Sequence, residues 1–497
     1  MTPGWRALRF GAALAAAACG ARTDIDLGAS SPLGADASSA NPDGPRTDAL
    51  VRADARADGG SVRDTGATDA IATRDATDGP PPVDDPCPSA LLAGAPRAML
   101  RSCSTRDGRA RVLGPRNPHL TWTIPGFTPE LGYTGLLADE SDGVYLVSGN
   151  LQEGHGSVTK IAGSTGALDW SFGPLSSQPV LLPAGGPDAL AAAEALSLDS
   201  SDRLELSEVT LGSGTASATA LGYLGGSVGT GAPAVGEDGA LYFDVVSTAT
   251  PSPMALVSRV GADGSVRSTD LTQLLGRPFA AEVDFLPLAL APGDLALGLI
   301  SVEGQDSPGQ SVMAAIDAAG ALAWSKSFGD QVGAGLAVTA AGDVLVLLTP
   351  GEFTSASNMP AHLELFDVAG NALRPEATVG AFYAATLFAV LRDGTALIGA
   401  QTSEGEVGWD SLYAIGVDGS ERWSISDPFI VGVTVDAKGD ILVVKYYSLE
   451  ARDGASGTLL WTLSAPSTSY AIVDATFTSS GGIVAEVGDG SAFGASD

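Results

Sequence analysis

A five-residue phrase, Gly-x-x-x-Trp, recurs along the chain and constrains the fold more than any other feature of the sequence. The complete copies end at Trp170, Trp324, Trp423 and Trp461. Weaker copies keep the glycine and replace the tryptophan, and they span residues 214–218, 264–268 and 370–374. A unit that returns at a regular spacing is typical of propellers, solenoids and other repeat arrays. The chain is therefore expected to be a repeat protein.

A second phrase recurs out of step with the first. It is a small or acidic residue, usually with a glycine, followed by alternating apolar residues. Its eight copies begin at Asp142, Asp202, Asp238, Gly293, Gly342, Asp393, Gly439 and Gly481. Asp-Gly beside a β-rich run is a strong hairpin signal, because glycine accepts the positive φ of a tight turn. The mean spacing from the first copy to the last is about 49 residues, within the range of propeller blades.

Together the two phrases describe one blade: strand, Asp-Gly turn, strand, loop, strand, Gly turn, and an outer strand that carries the tryptophan position. That position occurs at residues 122, 170, 218, 268, 324, 374, 423 and 461. Trp122 precedes the first hairpin, and the hairpin at Gly482 has no tryptophan strand after it. We therefore predict an all-β, eight-bladed β-propeller of four-stranded antiparallel blades over residues 109–497, in which the strand around Trp122 closes the last blade. Seven blades is the alternative, and the best candidate helix is the Ala-rich segment 187–196, which is also compatible with a strand.

Residues 1–19 have the features of a targeting segment. Arg6 and Arg9 supply positive charge, and the apolar run 10–18 is far shorter than the roughly 20 residues that span a bilayer. Three alanines followed by Cys19 resemble a bacterial lipoprotein signal, in which the cysteine is lipidated and becomes the new N-terminus. We therefore expect an exported protein anchored by lipid at Cys19 to the outer membrane or cell surface. An ordinary signal peptide with an incidental Cys19 is the alternative.

Residues 20–86 form a linker rich in Ala, Asp, Gly and Pro, without an aromatic residue. Such a composition buries too little apolar surface to offset the entropy of ordering, so we expect disorder and a reach of roughly 40–50 Å. The lead-in 87–108 contains Cys87 and Cys103, an even number of cysteines in an exported chain. We expect a disulfide between them, worth on the order of 3 kcal/mol, rather than two free thiols.

The formal net charge of −32 excludes several partner classes. Nucleic-acid binding by counterion release needs clustered Lys and Arg, and the sequence has no such cluster. Anionic lipid headgroups are disfavoured for the same reason, so we expect membrane contact through the lipid anchor alone. We expect a monomer that is soluble apart from its anchor.

Candidate catalytic residues are few. His119, His155 and His362 are far apart in the sequence and lack metal-ligand spacing. Residues 225–229 match the nucleophile-elbow pattern Gly-x-Ser-x-Gly, but no helix is predicted to follow them. The Asp-Gly turns lack the spaced carboxylates of a calcium loop. We therefore predict no catalytic, cofactor-binding or metal-ligating residue.

Segments 315–324 and 413–423 resemble the repeat of quinoprotein-like propellers, the PQQ-like repeat family, and the resemblance covers residues 109–497. That superfamily contains quinone-dependent dehydrogenases and non-catalytic propellers. The resemblance implies that the repeated tryptophan packs between neighbouring blades. On this chain the inter-blade residues would be Trp122, Trp170, Trp324, Trp423 and Trp461. Many of the dehydrogenases carry a vicinal cysteine pair, whereas residues 109–497 contain no cysteine.

Two functions remain at this stage. The first is a lipid-anchored, non-catalytic scaffold at the cell envelope that binds an envelope protein or a glycan. The second is a quinone- or calcium-dependent oxidoreductase that uses the propeller funnel. We expect the first, without a cofactor.

Overall fold

The computed structural model describes residues 108–497, apart from short segments that follow. These segments are 126–134, 149–155, 176–178, 183–187, 199–200, 225–227, 231–232, 248–253, 262, 276–282, 303–309, 351–358, 403–407, 468 and 489. All described residues belong to one compact unit. The predicted signal segment 1–19, the linker 20–86, and Cys87 and Cys103 lie outside the described residues.

The described residues form 32 β-strands. The first fourteen are β1 (His119–Ile124), β2 (Gly135–Ala138), β3 (Gly143–Ser148), β4 (Gly156–Ala162), β5 (Leu168–Leu175), β6 (Val180–Leu182), β7 (Ala189–Leu198), β8 (Ser201–Thr210), β9 (Ala216–Leu224), β10 (Val228–Thr230), β11 (Ala234–Val235), β12 (Leu241–Ser247), β13 (Met254–Val260) and β14 (Val266–Asp270). A 3-10 turn, Thr272–Leu275, follows.

The next eleven strands are β15 (Val283–Ala291), β16 (Leu295–Val302), β17 (Gln310–Ile316), β18 (Leu322–Ser327), β19 (Gln331–Val338), β20 (Val344–Pro350), β21 (Met359–Phe366), β22 (Ala377–Phe382), β23 (Ala384–Val390), β24 (Ala396–Gln401) and β25 (Trp409–Ile415). The last seven are β26 (Glu421–Val435), β27 (Ile441–Lys445), β28 (Ser448–Arg452), β29 (Leu459–Ser464), β30 (Ile472–Phe477), β31 (Ile483–Val487) and β32 (Ala492–Ser496).

These strands form antiparallel sheets in which chain neighbours pair with one another. Blades 1 to 5 are β2–β5, β6–β9, β10–β14, β15–β18 and β19–β22, and in blade 3 both β10 and β11 pair with β12. A seven-stranded sheet, β23–β29, holds blades 6 and 7, because the 15-residue β26 is the outer strand of one and the inner strand of the next. Blade 8 is β30–β32 with β1. The protein is an eight-bladed β-propeller, as predicted.

The first strand closes the last blade, also as predicted. β1 pairs with β32, with Trp122 opposite Gly494 and Ile124 opposite Ala492. The inner strands of blades 8 and 1, β30 and β2, contact each other and complete the ring. This closure covers the sheet edge that an open array would expose.

Apolar side chains fill the layers between successive blades. One cluster of buried residues runs through blades 1 to 4 and includes Tyr145, Leu190 and Phe243. A smaller cluster, with Leu136 of blade 1 and Val484 of blade 8, lies at the closure. Because each blade buries its apolar faces against its two neighbours, the fold can grow beyond the size of an ordinary single core.

Two details of the repeat differ from the sequence prediction. The phrase at Asp202 is not the first turn of blade 2, because Asp202 lies in β8, the third strand, opposite Ser197 of β7. The first two strands of blade 2, β6 and β7, both precede Asp202 in the chain. Residues 189–196 of the helix candidate lie in the strand β7, which is the alternative given for that segment, and pair with β8. In both places the pairing of neighbouring strands overrides the local composition.

The antiparallel order defines two faces of the ring. The Asp-Gly turns and the Gly-x-x-x-Trp turns lie at one end of the blades, which we call the turn face. Links between the second and third strands, and links between blades, lie at the other end, which we call the loop face. The turn-face glycines adopt positive φ, for example +69° at Gly166 and +81° at Gly370. Among the described residues, no helix is long and apolar enough to cross a bilayer.

Candidate functional site

The five predicted tryptophans each contact a segment outside their own blade, which is the next blade for four of them and the segment before β1 for Trp461. Each indole N–H donates a hydrogen bond of 2.8–3.0 Å to a backbone carbonyl there. The pairs are Trp122 with Gly163, Trp170 with Leu211, Trp324 with Val368, Trp423 with Gly454, and Trp461 with Pro115. The rings also cover the turn glycines, so that a methyl group on Gly166 would come within 2.6 Å of Trp122. Four of these hydrogen bonds thus join one blade to the next, and that of Trp461 joins blade 7 to the segment before β1.

Blades without the tryptophan use other contacts or none. In blade 3, where Ser268 holds the position, Thr269 donates a 2.6 Å hydrogen bond to the Gly320 carbonyl of blade 4. In blade 5, Arg374 takes the place of the indole, and its Nη1 would lie 3.2 Å from a methyl group on Gly419. Burial lowers the pKa of Arg374. The glycine of blade 3, Gly264, has nothing within 4 Å of the corresponding methyl position.

The end of the lead-in at Gly108 and its continuation to Pro118, together called the lead-in from here on, meet the propeller on the turn face, beside the inner strands. The Ala110 amide donates to the Val435 carbonyl at 2.7 Å, and the Thr434 hydroxyl donates to the Gly108 carbonyl at 3.1 Å. A methyl group on Gly108 would touch Ala389 of blade 6 at 2.7 Å. The chain therefore reaches the ring close to its axis, between the inner strands of blades 6 and 7.

From there the lead-in crosses the turn face to β1. The Gly114 amide donates to Asp436 at 3.0 Å, and the Arg116 guanidinium pairs with Asp440. Amides of Arg116 and Asn117 donate to the side chain of Asp497, the last residue given, at 2.6–3.1 Å. The start of the described segment and its last residue thus lie on the same face.

The opposite, loop face carries a cluster of aromatic residues at blade 7, which we call the aromatic cluster: Phe429, Tyr446, Tyr447 and Tyr470. The Phe429 and Tyr446 rings stack, with centroids 5.4 Å apart and planes at 25°. The Tyr447 ring meets Tyr446 edge-on at 6.1 Å. Phe429, Tyr447 and Tyr470 are each more than two-fifths exposed, whereas Tyr446 is buried.

Backbone hydrogen bonds place the four residues together. The Tyr446 amide donates to the Phe429 carbonyl at 3.1 Å, just before the inner strand of blade 7. The Ile472 amide, two residues after Tyr470 and at the start of the inner strand of blade 8, donates to the Tyr446 carbonyl at 2.7 Å. The cluster is therefore built on the ends of three connected segments rather than on one long loop.

Two features of the cluster are costly for folding. Phe429 has φ of +75°, a conformation that bulky residues avoid. The buried Tyr446 hydroxyl has no hydrogen-bond partner among the described residues. Burial, with the neighbouring Tyr447, raises the pKa of Tyr446 to about 12.

A charged trio braces the turn from which Tyr446 and Tyr447 project. Lys445 donates to Glu450 at 3.0 Å, and Arg452 donates to the other oxygen of Glu450 at 2.6 Å. Burial alone would raise the pKa of Glu450, but these two cations hold it below its ordinary value. The trio fixes the two strands on either side of the aromatic turn.

The other candidates from the sequence are scattered. His119 lies in β1 of blade 8, and His362 lies in β21 of blade 5 beside Glu376. Residues 225–227 of the elbow pattern lie outside the described residues, and the strand β10 begins at Val228. Within the described part of the chain, no group of three or more His, Cys, Asp or Glu side chains could hold a metal ion.

The aromatic cluster was missed in the sequence because its members lie in three places along a 42-residue stretch. A signal was nevertheless present. Three of the nine tyrosines fall in the loop-face links of blades 7 and 8, and Tyr446-Tyr447 occupies a turn of only two residues. Aromatic residues in a tight turn are uncommon, since Gly, Asn, Asp, Ser and Pro dominate there.

No family model and no curated protein matches this sequence. Among solved structures, BamB from Moraxella catarrhalis is 13% identical with a TM-score of 0.42, over 76% of this chain and 98% of that chain. A protein from Lactobacillus plantarum is 16% identical with a TM-score of 0.37, over 63% and 92%. The β-propeller domain of the Trilobed protease from Pyrococcus furiosus is 10% identical with a TM-score of 0.36, over 62% and 91%. The propeller assignment rests on the strand order described above.

Proposed function

We propose that this protein is a non-catalytic binding scaffold that is tethered to the cell envelope by lipid at Cys19 and presents the loop face of its propeller to a partner. One observation carries the proposal. The chain joins the ring on the turn face, near the axis, while the exposed aromatic residues of the described chain lie on the loop face.

The point at which the described chain joins the ring and the exposed aromatic rings therefore lie at opposite ends of the blades. A tether that leaves from the turn face directs the loop face away from its own point of attachment. Large exposed aromatic side chains are the residues that most often anchor a partner. The linker 20–86, with its predicted reach of roughly 40–50 Å, would allow the propeller to meet that partner at a distance from the membrane.

The anchoring step is tested with a Cys19→Ser variant of the full-length protein in a bacterial host. We expect the wild-type protein to incorporate a labelled fatty acid and to remain with the membrane fraction. The variant should lose the label and move to the soluble fraction. A wild-type protein that carries no label contradicts the lipid anchor.

The scaffold step is tested by site-specific photo-cross-linking in the intact envelope. A photoreactive residue at Tyr447, 45% exposed on the loop face, is compared with one at Val417, 36% exposed on the turn face. We expect adducts from position 447 in clear excess over position 417. Equal adducts, or adducts from 417 alone, contradict the use of the loop face.

The oxidoreductase alternative has no observation in its favour among the described residues. It is checked by titrating the purified protein with pyrroloquinoline quinone and calcium and following absorbance. Saturable binding with reduction of a dye by an alcohol or sugar would contradict the scaffold proposal.

A further inference from the structure

The exposed apolar residues of the two faces differ in kind. Those on the turn side are aliphatic and lie in the lead-in, in the turns, or at the first positions of the outer strands: Leu113, Leu120, Leu168, Val266, Leu322, Val368, Leu373, Val417, Leu459 and Leu460. On the described part of the loop face, the exposed large apolar residues are aromatic: Phe429, Tyr447 and Tyr470. At blade 7, the described part of the loop face therefore offers flat rings, whereas the exposed apolar residues of the turn face are aliphatic.

The Phe429 ring is exposed to solvent from a backbone conformation that is unfavourable for a phenylalanine. A positive φ is unfavourable at a bulky non-glycine residue such as Phe429, and backbone strain of this kind is concentrated at functional sites. Tyr446 stacks on the Phe429 ring, and Phe429 remains 45% exposed. The unfavourable backbone conformation thus keeps the Phe429 ring exposed to solvent. The Tyr446 ring packs against one side of it.

Exposed hydroxyl groups occur in the same segments as the rings. Tyr447 and Tyr470 expose phenol side chains, and Ser467 and Ser469, in the link that contains Tyr470, are exposed. The Tyr446 hydroxyl is buried and has no partner in the described part of the chain. A ligand that stacks on a ring and exchanges hydrogen bonds with hydroxyls suits this composition.

The charge around the aromatic cluster indicates which class of ligand the site favours. Lys445, next to the rings, is paired with Glu450. The chain as a whole has a net charge of −32, which repels acidic polymers. A neutral partner is therefore favoured over an anionic one.

We infer that the aromatic cluster binds a neutral glycan, with a pyranose ring stacked on the exposed aromatic side chains and sugar hydroxyls bonded to the phenols and serines of the same segments. Sugar C–H groups carry a small positive charge and pack on the negative face of an aromatic ring. This inference deepens the scaffold proposed above and rests on it, because it assigns the partner class to the loop face.

The test is calorimetric titration of the full-length protein with a panel of neutral hexasaccharides: N-acetylglucosamine, α- and β-linked glucose, and mannose. An anionic hexamer of galacturonic acid and a peptide of residues 78–90, which spans the proline-rich end of the linker and the start of the lead-in, are titrated in parallel. We expect saturable binding of at least one neutral hexasaccharide and none of the anionic hexamer.

Three variants localise the binding. Phe429→Gly removes the ring and places at this position the residue that tolerates its φ, so folding is preserved. Phe429→Gly and Tyr447→Ala, made as two separate variants, should each weaken binding about ten-fold, which is the effect of losing one stacked ring. Leu168→Ala, which removes a 56% exposed side chain on the turn face, is the matched control and should bind as the wild type does. Thermal unfolding of each variant checks that the fold is intact.

The outcomes separate this inference from the scaffold proposal. Binding to no neutral hexasaccharide, or equal binding by Phe429→Gly and the wild type, overturns the glycan inference. Binding of the proline-rich peptide alone, or cross-linking of position 447 to an envelope protein without sugar binding, also overturns it but leaves the scaffold in place. Cross-linking from the turn face alone overturns both.

Discussion

Buried carboxyl Glu486 shows how one side chain can make the stability of this propeller depend on pH. It lies in the second strand of blade 8, is 1% exposed, and is opposite Asp474 of the inner strand. Its Oε2 has no partner among the described residues. Burial, and then repulsion from Asp474, raise its pKa well above the ordinary value of 4.5.

A raised carboxyl pKa stabilises the fold at low pH and loses that contribution as the pH rises. Below about 4.5 the group is protonated in both states. Above that value the unfolded chain ionises first, so the free energy of unfolding falls until the folded pKa is reached. Glu486→Gln cannot ionise, so it removes the contribution of this carboxyl group to the pH dependence of stability. We expect the free energy of unfolding of the variant, relative to that of the wild type, to be larger at pH 8 than at pH 4, measured by denaturant unfolding at both values.

A second variant tests the cause. Asp474→Asn keeps Glu486 but removes the nearby charge, so the fall of stability with pH should become smaller without vanishing. If the difference between Glu486→Gln and the wild type is the same at pH 4 and pH 8, the buried carboxyl does not titrate as described.

Two buried tyrosines allow a matched comparison of satisfied and unsatisfied hydroxyls. The Tyr145 hydroxyl donates to Asp139 at 2.6 Å, whereas the Tyr446 hydroxyl has no partner in the described chain. Removing a bonded hydroxyl leaves its partner unsatisfied, and removing an unbonded one relieves a desolvation cost. We expect Tyr145→Phe to lower the free energy of unfolding by about 1–3 kcal/mol and Tyr446→Phe to raise it by about 1 kcal/mol.

Chemical denaturation of the two variants measures these changes in the free energy of unfolding. A Tyr446→Phe variant that is as destabilised as Tyr145→Phe would mean that the Tyr446 hydroxyl is satisfied in solution. If Tyr446→Phe stabilises the protein but weakens sugar binding, the unpaired hydroxyl is kept for the ligand rather than for the fold.

At the scale of elements, the repeated turn and the preceding outer strand act as one unit. The glycine of the turn needs a positive φ, and the tryptophan of the neighbouring blade needs the space that a side chain would fill. Gly370 and Gly264 separate these two requirements. Their φ values are +81° and +76°, but a methyl group would lie 2.8 Å from Trp324 at Gly370 and would meet nothing within 4 Å at Gly264.

Alanine at each glycine therefore gives different losses. Gly264→Ala should lower the free energy of unfolding by about 1 kcal/mol, because alanine is disfavoured in the left-handed backbone conformation. Gly370→Ala should cost about 2–4 kcal/mol, because the methyl group also displaces the indole and its 2.9 Å hydrogen bond to the Val368 carbonyl. Thermal and chemical unfolding of the two variants measure the difference. Equal losses would show that the indole does not depend on the glycine.

At the scale of the whole molecule, stability depends on the seam where β1 meets β32. The two ends of the propeller sequence meet there, at His119 opposite Ser496. Residues directly opposite on antiparallel strands are about 4.5–5.5 Å apart at Cα, which suits a disulfide. A crosslink at the seam would join the two ends of the ring and restrict the unfolded chain.

The prediction is that His119→Cys with Ser496→Cys raises the midpoint of thermal unfolding when oxidised, in a background in which Cys19, Cys87 and Cys103 are serine. The expected gain is about 2–4 kcal/mol at the midpoint, since the loop that is closed is long. The same protein under reducing conditions is the control and should unfold like its background. An oxidised protein that unfolds at the same temperature as the reduced one would show that the ring opens elsewhere.

Much of the architecture followed from the sequence because the repeat is a local pattern. The hairpin turns, the order of strands and the eight tryptophan positions each depend on residues close in the chain, and the count of eight blades is confirmed. The unmatched strand at Trp122 and the unmatched hairpin at Gly482 even indicated the closure. The phrase at Asp202 was assigned to the wrong hairpin. An acidic residue before a strand occurs at the start of the second strand of a blade and also at the start of the third, so the local sequence does not distinguish them.

Tertiary structure alone brought together the residues of the proposed site. Phe429, Tyr446 and Tyr470 are separated by up to 41 positions and become neighbours because the strands between them return to the same face. The positive φ of Phe429, the missing partner of the Tyr446 hydroxyl and the point at which the lead-in joins the ring are likewise properties of packing. The sequence by itself determined the blade and its number, since strand pairing within a blade is local. The gathering of exposed aromatic residues on the loop face at blade 7 was decided by contacts between segments far apart in the chain, and no local pattern encodes those contacts.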